Sequence, residues 1–214
     1  MSAHRPRRLP SRRKLATLCF AAAAVPWPAL AVEKDWKTTV GSGSWSTLFP
    51  GNWLQGAIPA AGDDAYIVHN DAINRIVTYD YTGGPITLGS VHLDNTGAGT
   101  NTLSQSANVL SSTTEYVGFF GGGVHLQSGG ANSASSFMDV GRFVGSTGLY
   151  NQTGGILSSP NVYIGDDGNG TFLQSGTASA SVTGVGSATG LFLGYSATGS
   201  GARRRSSSTG EGAG

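Results

Sequence analysis

Cysteine is nearly missing from this chain. The single Cys19 falls in the N-terminal leader, so from Val32 onward no disulfide can form. Charge is almost as scarce, at 12% of residues, and it is unevenly placed. Six of the 13 basic residues lie between Arg5 and Lys14, which leaves seven against 12 acidic ones after Ala31, a net charge of −5. Such a mildly acidic surface excludes nucleic acid as a partner, because displacing counterions from phosphates takes clustered basic groups. Beyond the leader no apolar run is long enough to cross a bilayer.

Reactive groups are thin as well. His69, His92 and His125 make no close pair with each other or with cysteine, so they carry no zinc spacing and read as ordinary surface histidines on strands. The titratable groups of the central region, Glu115, Asp139, Arg142, Asp166 and Asp167, are too spread out to suggest the converging carboxylates of a polysaccharide hydrolase. Asp139 and Arg142 read as a weak surface pair. Asp166-Asp167-Gly168-Asn169-Gly170 lacks the ligand spacing and distal Glu of a calcium loop and reads as a turn. No catalytic, cofactor or metal residue is assigned, and no enzyme activity is expected.

What is present is glycine, 34 residues of it, arranged in a repeat. An apolar residue followed by Gly recurs at Val117, Val140, Ile164 and Leu193, at spacings of 23, 24 and 29 residues. A second phrase keeps step with it around Gln127, Gln152 and Gln174, each followed by a hydroxyl residue and Gly. The apolar runs between these marks are short and rich in Val, Ile, Tyr and Phe, as strands are. The glycines stand where the backbone must turn. One coil of this length cannot bury its own apolar face, but stacked coils can. The predicted fold is therefore all-β, a parallel β-helix of roughly 23-residue coils. Val117, Val140, Ile164 and Leu193 would stack as one inward ladder, and Gln127, Gln152 and Gln174 as another. Leu88-Gly89 reads as a degenerate earlier copy, and Gln105 stands 22 residues before Gln127.

Residues 1–31 read as a secretory signal peptide: a basic start, an apolar stretch from Leu15 to Val25, and Ala29-Leu30-Ala31 before a cleavage point. Ser11 to Leu15 approximates a twin-arginine signal, and Leu18 argues against lipidation of Cys19. Residues 32–64 read as an N-terminal aromatic cap containing Trp36, Trp45 and Trp53, which would cover the hydrophobic end of the solenoid. The alternative is that these indoles stack on sugar rings. Residues 65–201 form the repeat domain. Residues 202–214, with Arg203-Arg204-Arg205, read as a disordered tail of the kind left by truncation or a frameshift in a longer protein.

The Trp-Ser, Asn-Trp and Pro-x-x-Gly-Asp-Asp opening, followed by Tyr-Val-Gly, Gln-Ser-Gly-Gly and Tyr-Asn-Gln-Thr-Gly-Gly, resembles exported bacterial β-helical repeat proteins over roughly 42–199. These include autotransporter passenger-like proteins and surface proteins with a PEP-CTERM sorting tail. The resemblance implies export to the medium or the cell surface, with attachment to the outer membrane where an anchor follows. It brings no catalytic motif. The expected function is that of a non-enzymatic structural or adhesin-like protein, with extracellular polysaccharide or cell-surface components as partners. The rival readings are a carbohydrate-binding module built on Trp36, Trp45 and Trp53, or a polysaccharide-degrading enzyme on the same fold.

Overall fold

The computed structural model describes residues 31–48, 51–184 and 190–195, and the backbone of 203–206. The expected signal peptide and most of the expected tail lie outside the described residues. Successive strands alternate between two sheets. The first holds β1 (Glu33–Asp35), β3 (Asp64–His69), β5 (Leu88–Asn95), β7 (Val109–Val117), β9 (Ala131–Val140), β11 (Ile156–Ser159) and β14 (Ser179–Val182) in that order. Alongside, β12 (Val162–Ile164) pairs with β9 and with β15 (Leu191–Leu193). The second sheet runs β2 (Gly43–Ser44), β4 (Arg75–Thr78), β6 (Asn101–Gln105), β8 (Gly122–Gln127), β10 (Thr147–Gln152), β13 (Asn169–Gln174) and β16 (Arg203–Ser206). All the pairings between these strands are parallel, so the chain is an all-β solenoid of about 5 turns.

The inward ladder forms because side chains point alternately to the two faces of a strand, as the alternation of buried and more accessible positions in β3 and β8 shows. Ile67, Leu93, Val117, Val140, Ile164 and Leu193 are in register along the first sheet. The first five are fully or almost fully buried, and Leu193 is 46% exposed. Burial of each such side chain contributes roughly 1.5–3 kcal/mol. The earlier copy expected at Leu88-Gly89 lies instead at Leu93-Asp94, where Gly118 N donates to Leu93 O at 2.8 Å. Aspartate in the place of glycine hides the phrase.

The recurring glycine is required by the backbone. Gly118, Gly141 and Gly165 turn the chain at φ values of 76°, 80° and 68°, in the left-handed region where a Cβ is penalised. A Cβ at Gly141 would also strike the backbone of Asn169 and Gly170. The glutamine phrase has a different cause. Gln105, Gln127, Gln152 and Gln174 are in register, and the first three are buried. Gln127 Nε2 donates to Gly130 O at 3.5 Å in its own turn and to Ile156 O at 3.0 Å in the next coil. Gln105 and Gln152 repeat this pattern with Asn108 and Ala131, and with Gly155 and Ser179. Only Gln174 donates to another ladder amide, that of Gln152 at 3.2 Å. The ladder therefore chiefly ties turn to turn.

At the N-terminal end β1 and β2 already belong to the two sheets, so 32–64 supplies the first strands of the stack. Trp36, Trp45 and Trp53 pack edge to face with ring centroids 5.3 and 4.7 Å apart, and Tyr79 joins Trp45 at 5.2 Å. All three indoles are at most 2% exposed. At the other end, the composition of 202–214 predicts no strand, yet the backbone of Arg203–Ser206 pairs with β13. Main-chain ladders need no apolar side chain, which is why composition misses them.

Candidate functional site

The residue before each inward rung faces outward. This places Asp35, Tyr66, His92, Tyr116, Asp139, Tyr163 and Phe192 in one row along the outside of the first sheet. Parallel registry stacks their rings along the solenoid axis. Tyr66 and His92 lie 4.4 Å apart at 9°, and Tyr163 and Phe192 lie 4.8 Å apart at 9°. His92 is also 4.5 Å from Tyr116. Burial between these rings lowers its pKa to about 4, against a smaller opposing effect of Asp64.

The turns after the row carry a second file. Beyond the turn glycines come Phe119, Arg142, Asp166 and Tyr195, then Phe120, Phe143 and Asp167. Phe120 stacks on Phe143 at 4.8 Å and 13° and stays 59% exposed, and Val144, next to Phe143 in the chain, is 74% exposed. Arg142 sits among four rings, 5.3 to 5.9 Å from the centroids of Tyr116, Phe119, Phe137 and Phe143. Its Nη1 donates to Asp139 Oδ2 at 2.7 Å. The pair expected at the surface is thus half sunk: Asp139 is fully buried beneath Arg142. Burial raises the Asp139 pKa to about 6, with Asp166 and Asp167 adding to the rise and Arg142 opposing it. The loss of hydration outweighs one partly exposed cation.

A separate polar group lies inside the solenoid. His125 Nδ1 donates to Glu115 Oε1 at 2.5 Å, and Asn132 Nδ2 donates to Glu115 Oε2 at 2.7 Å. Asn132 also donates to the Tyr150 hydroxyl at 3.0 Å, which in turn donates to Gln127 Oε1 at 2.8 Å. None of these side chains exceeds 1% exposure. Glu115 stands on β7 and His125 on β8, so the group links the two sheets through the core. A Glu–His pair is suited to proton transfer, but here it is sealed from solvent. The histidines expected at the surface are therefore corrected: His125 is core, and so is His69, whose Nε2 donates to Trp36 O at 3.2 Å while Nδ1 accepts from Asn101 at 2.9 Å. Strand alternation turns both inward, a direction that isolated residues do not reveal.

Glu115 stands apart, whereas Asp139, Arg142, Asp166 and Asp167 lie close enough to act on one another electrostatically. Glu115 is in the core, Asp139 lies under Arg142, and Asp166 and Asp167 belong to a turn whose amides bond Gly141 O and Arg142 O of the preceding coil. Among the described residues no three His, Cys, Asp or Glu are grouped to hold a metal ion. The buried Trp36, Trp45 and Trp53 offer no indole face to a sugar ring.

The outer row had a signal in the sequence. Tyr66-Ile67, His92-Leu93, Tyr116-Val117, Tyr163-Ile164 and Phe192-Leu193 each place a ring just before the inward rung. No protein-family model matches the chain, and neither a curated protein nor a solved structure is similar to it. Fold and surface together define a parallel β-solenoid with an aromatic outer face. No helix of the described residues is long and apolar enough to cross a membrane.

Proposed function

We propose that this chain is a non-enzymatic, exported structural protein of the adhesin-like kind, kin in role to autotransporter passengers and PEP-CTERM-type surface proteins, working at the cell surface or in the medium. The observation that carries this reading is the continuous outer row from Asp35 to Phe192, repeated coil after coil. A row repeated at strand spacing, about 4.8 Å, suits many weak contacts whose sum grows with the array. Ser111, Ser133, Ser158 and Ser181 form a second outward row in the same sheet and extend that surface.

The test is a cell-adhesion assay with the processed chain on beads, run beside a polysaccharide-cleavage assay. Retention on cells and no turnover are expected. Turnover abolished by Asp139→Asn would replace this reading with that of an enzyme. Export is tested by N-terminal sequencing of the secreted product, which should begin at Val32.

A further inference from the structure

We propose that the outer aromatic face of the first sheet docks a basic polypeptide segment, one in which Arg or Lys alternates with apolar residues. This rests on the adhesin-like reading and supplies the chemistry of its partner. Two features meet on this face. One is the aromatic surface itself, half-buried at Tyr66, His92, Phe143 and Phe192 and exposed at Phe120 and, to 62%, at Tyr195. Contiguous exposed apolar surface with a polar rim marks an interaction site. The other is the sign of the rim. Asp35 heads the row, Glu33 and Asp64 stand beside it in the neighbouring register, and Asp166 and Asp167 lie at the far end. These carboxylates are close enough to act on the row: after burial, Asp64, Glu33 and Asp35 push the Tyr66 hydroxyl up, and Asp166 and Asp139 contribute to the same rise at Tyr163.

The chain contains an example of the contact within itself. Arg142 rests among four rings and donates to Asp139. One coil further on, Tyr163, Phe192 and Tyr195 pack at 4.8 to 5.4 Å beside Asp166. There the ring-and-carboxylate setting recurs with Asp166, on which Arg142 of the preceding coil already acts, and an incoming guanidinium adds a second cation.

Other occupants fit less well. Anionic lipid and nucleic acid meet the acidic rim. A neutral glycan makes no use of the acidic rim formed by Glu33, Asp35 and Asp64. A second copy opposes like charges in either direction, since both ends of the row are acidic.

The experiment uses the processed chain and three fluorescein-labelled peptides of equal length, alternating Arg with Leu, Glu with Leu, or Ser with Leu, read by fluorescence anisotropy. The Arg/Leu peptide is expected to bind and to weaken as salt rises. Binding should fall about tenfold or more, at least ~1.4 kcal/mol, in Phe120→Ser/Phe143→Ser and in Asp166→Asn/Asp167→Asn. It should be unchanged in Val109→Ser, which is 56% exposed elsewhere on the same sheet. Far-UV circular dichroism and melting establish that each variant folds, and the Asp pair tests charge without removing packing. No binding, equal binding of the Glu/Leu or Ser/Leu peptides, or indifference to both double variants overturns the proposal. So does concentration-dependent dimerisation lost in Phe120→Ser/Phe143→Ser, or saturable binding of a neutral oligosaccharide lost in the same variant. Adhesion that persists while the peptide arms fail removes this inference and leaves the proposed function standing. Peptide binding without adhesion does the reverse.

Discussion

His92 shows what one position in a stack does to a side chain. Pressed between Tyr66 and Tyr116, it is held neutral, with a pKa of about 4 against 6.5 for an ordinary imidazole. The unfolded chain therefore takes up a proton that the folded one refuses. The stability contributed by the neutral ring is complete above pH 6.5 and is lost as pH falls toward 4, by on the order of 3 kcal/mol at the acid end. Urea unfolding at pH 7.5 and about pH 4.5 should show that loss in the wild type and a clearly smaller one in His92→Phe; equal losses would mean that His92 is not the group responsible. Asp139 has the opposite sign. Its carboxyl is raised to about 6, so the folded state holds the proton more tightly and stability falls as pH climbs from about 4 to 6. Asp139→Asn should flatten that part of the profile in the same titration. Both ring and carboxylate are visible in the sequence, but their shifts come from burial and from neighbours such as Tyr66 and Tyr116 for His92, and Asp166 and Asp167 for Asp139, that lie 24 to 28 residues away in the chain.

At the scale of the strand and its turn, the glutamine ladder is the feature with the largest testable cost. Removing Gln127 deprives Ile156 O of its side-chain donor and the Tyr150 hydroxyl of its acceptor, while Gly130 O keeps the Ile156 N–H at 2.9 Å. Each buried polar group so abandoned costs about 1–3 kcal/mol. Gln127→Leu should lower the unfolding free energy by roughly 2–4 kcal/mol in urea; a loss under about 0.5 kcal/mol would mean that the side chain ties nothing. The period of this ladder was legible, because Gln127, Gln152 and Gln174 share a phrase. Its bonding was not, since the acceptors are main-chain oxygens and carry no mark in the sequence. Leu93-Asp94 shows the same limit from the other side: the register persists where the glycine that advertises it has been replaced.

Across the whole molecule, each coil rests only on its neighbours, so the first coil depends on what seals it. Near the start of the stack, Trp36, Trp45 and Trp53 are buried and pack on one another by edge-to-face contacts. Trp53→Ala also removes the indole N–H that donates to Trp45 O at 2.9 Å. It should cost about 3–5 kcal/mol, read as a lower melting temperature. Native tryptophan emission should be blue-shifted and unmoved by soluble oligosaccharides. Emission quenched by a sugar would return these indoles to the surface and revive the carbohydrate reading.

The repeat period, the short β-rich runs and the glycine positions determined the solenoid and the inward ladder without coordinates, because stacking imposes the same demand on every coil and leaves it written at regular spacing. The tertiary structure decided which side chains face in, which meet across the two sheets, and which lie exposed in rows. Parallel pairing brings residues about one coil apart into contact. Only that registry sinks Asp139, His125 and the three indoles and assembles Tyr66, His92, Tyr116, Tyr163 and Phe192 into one outer face.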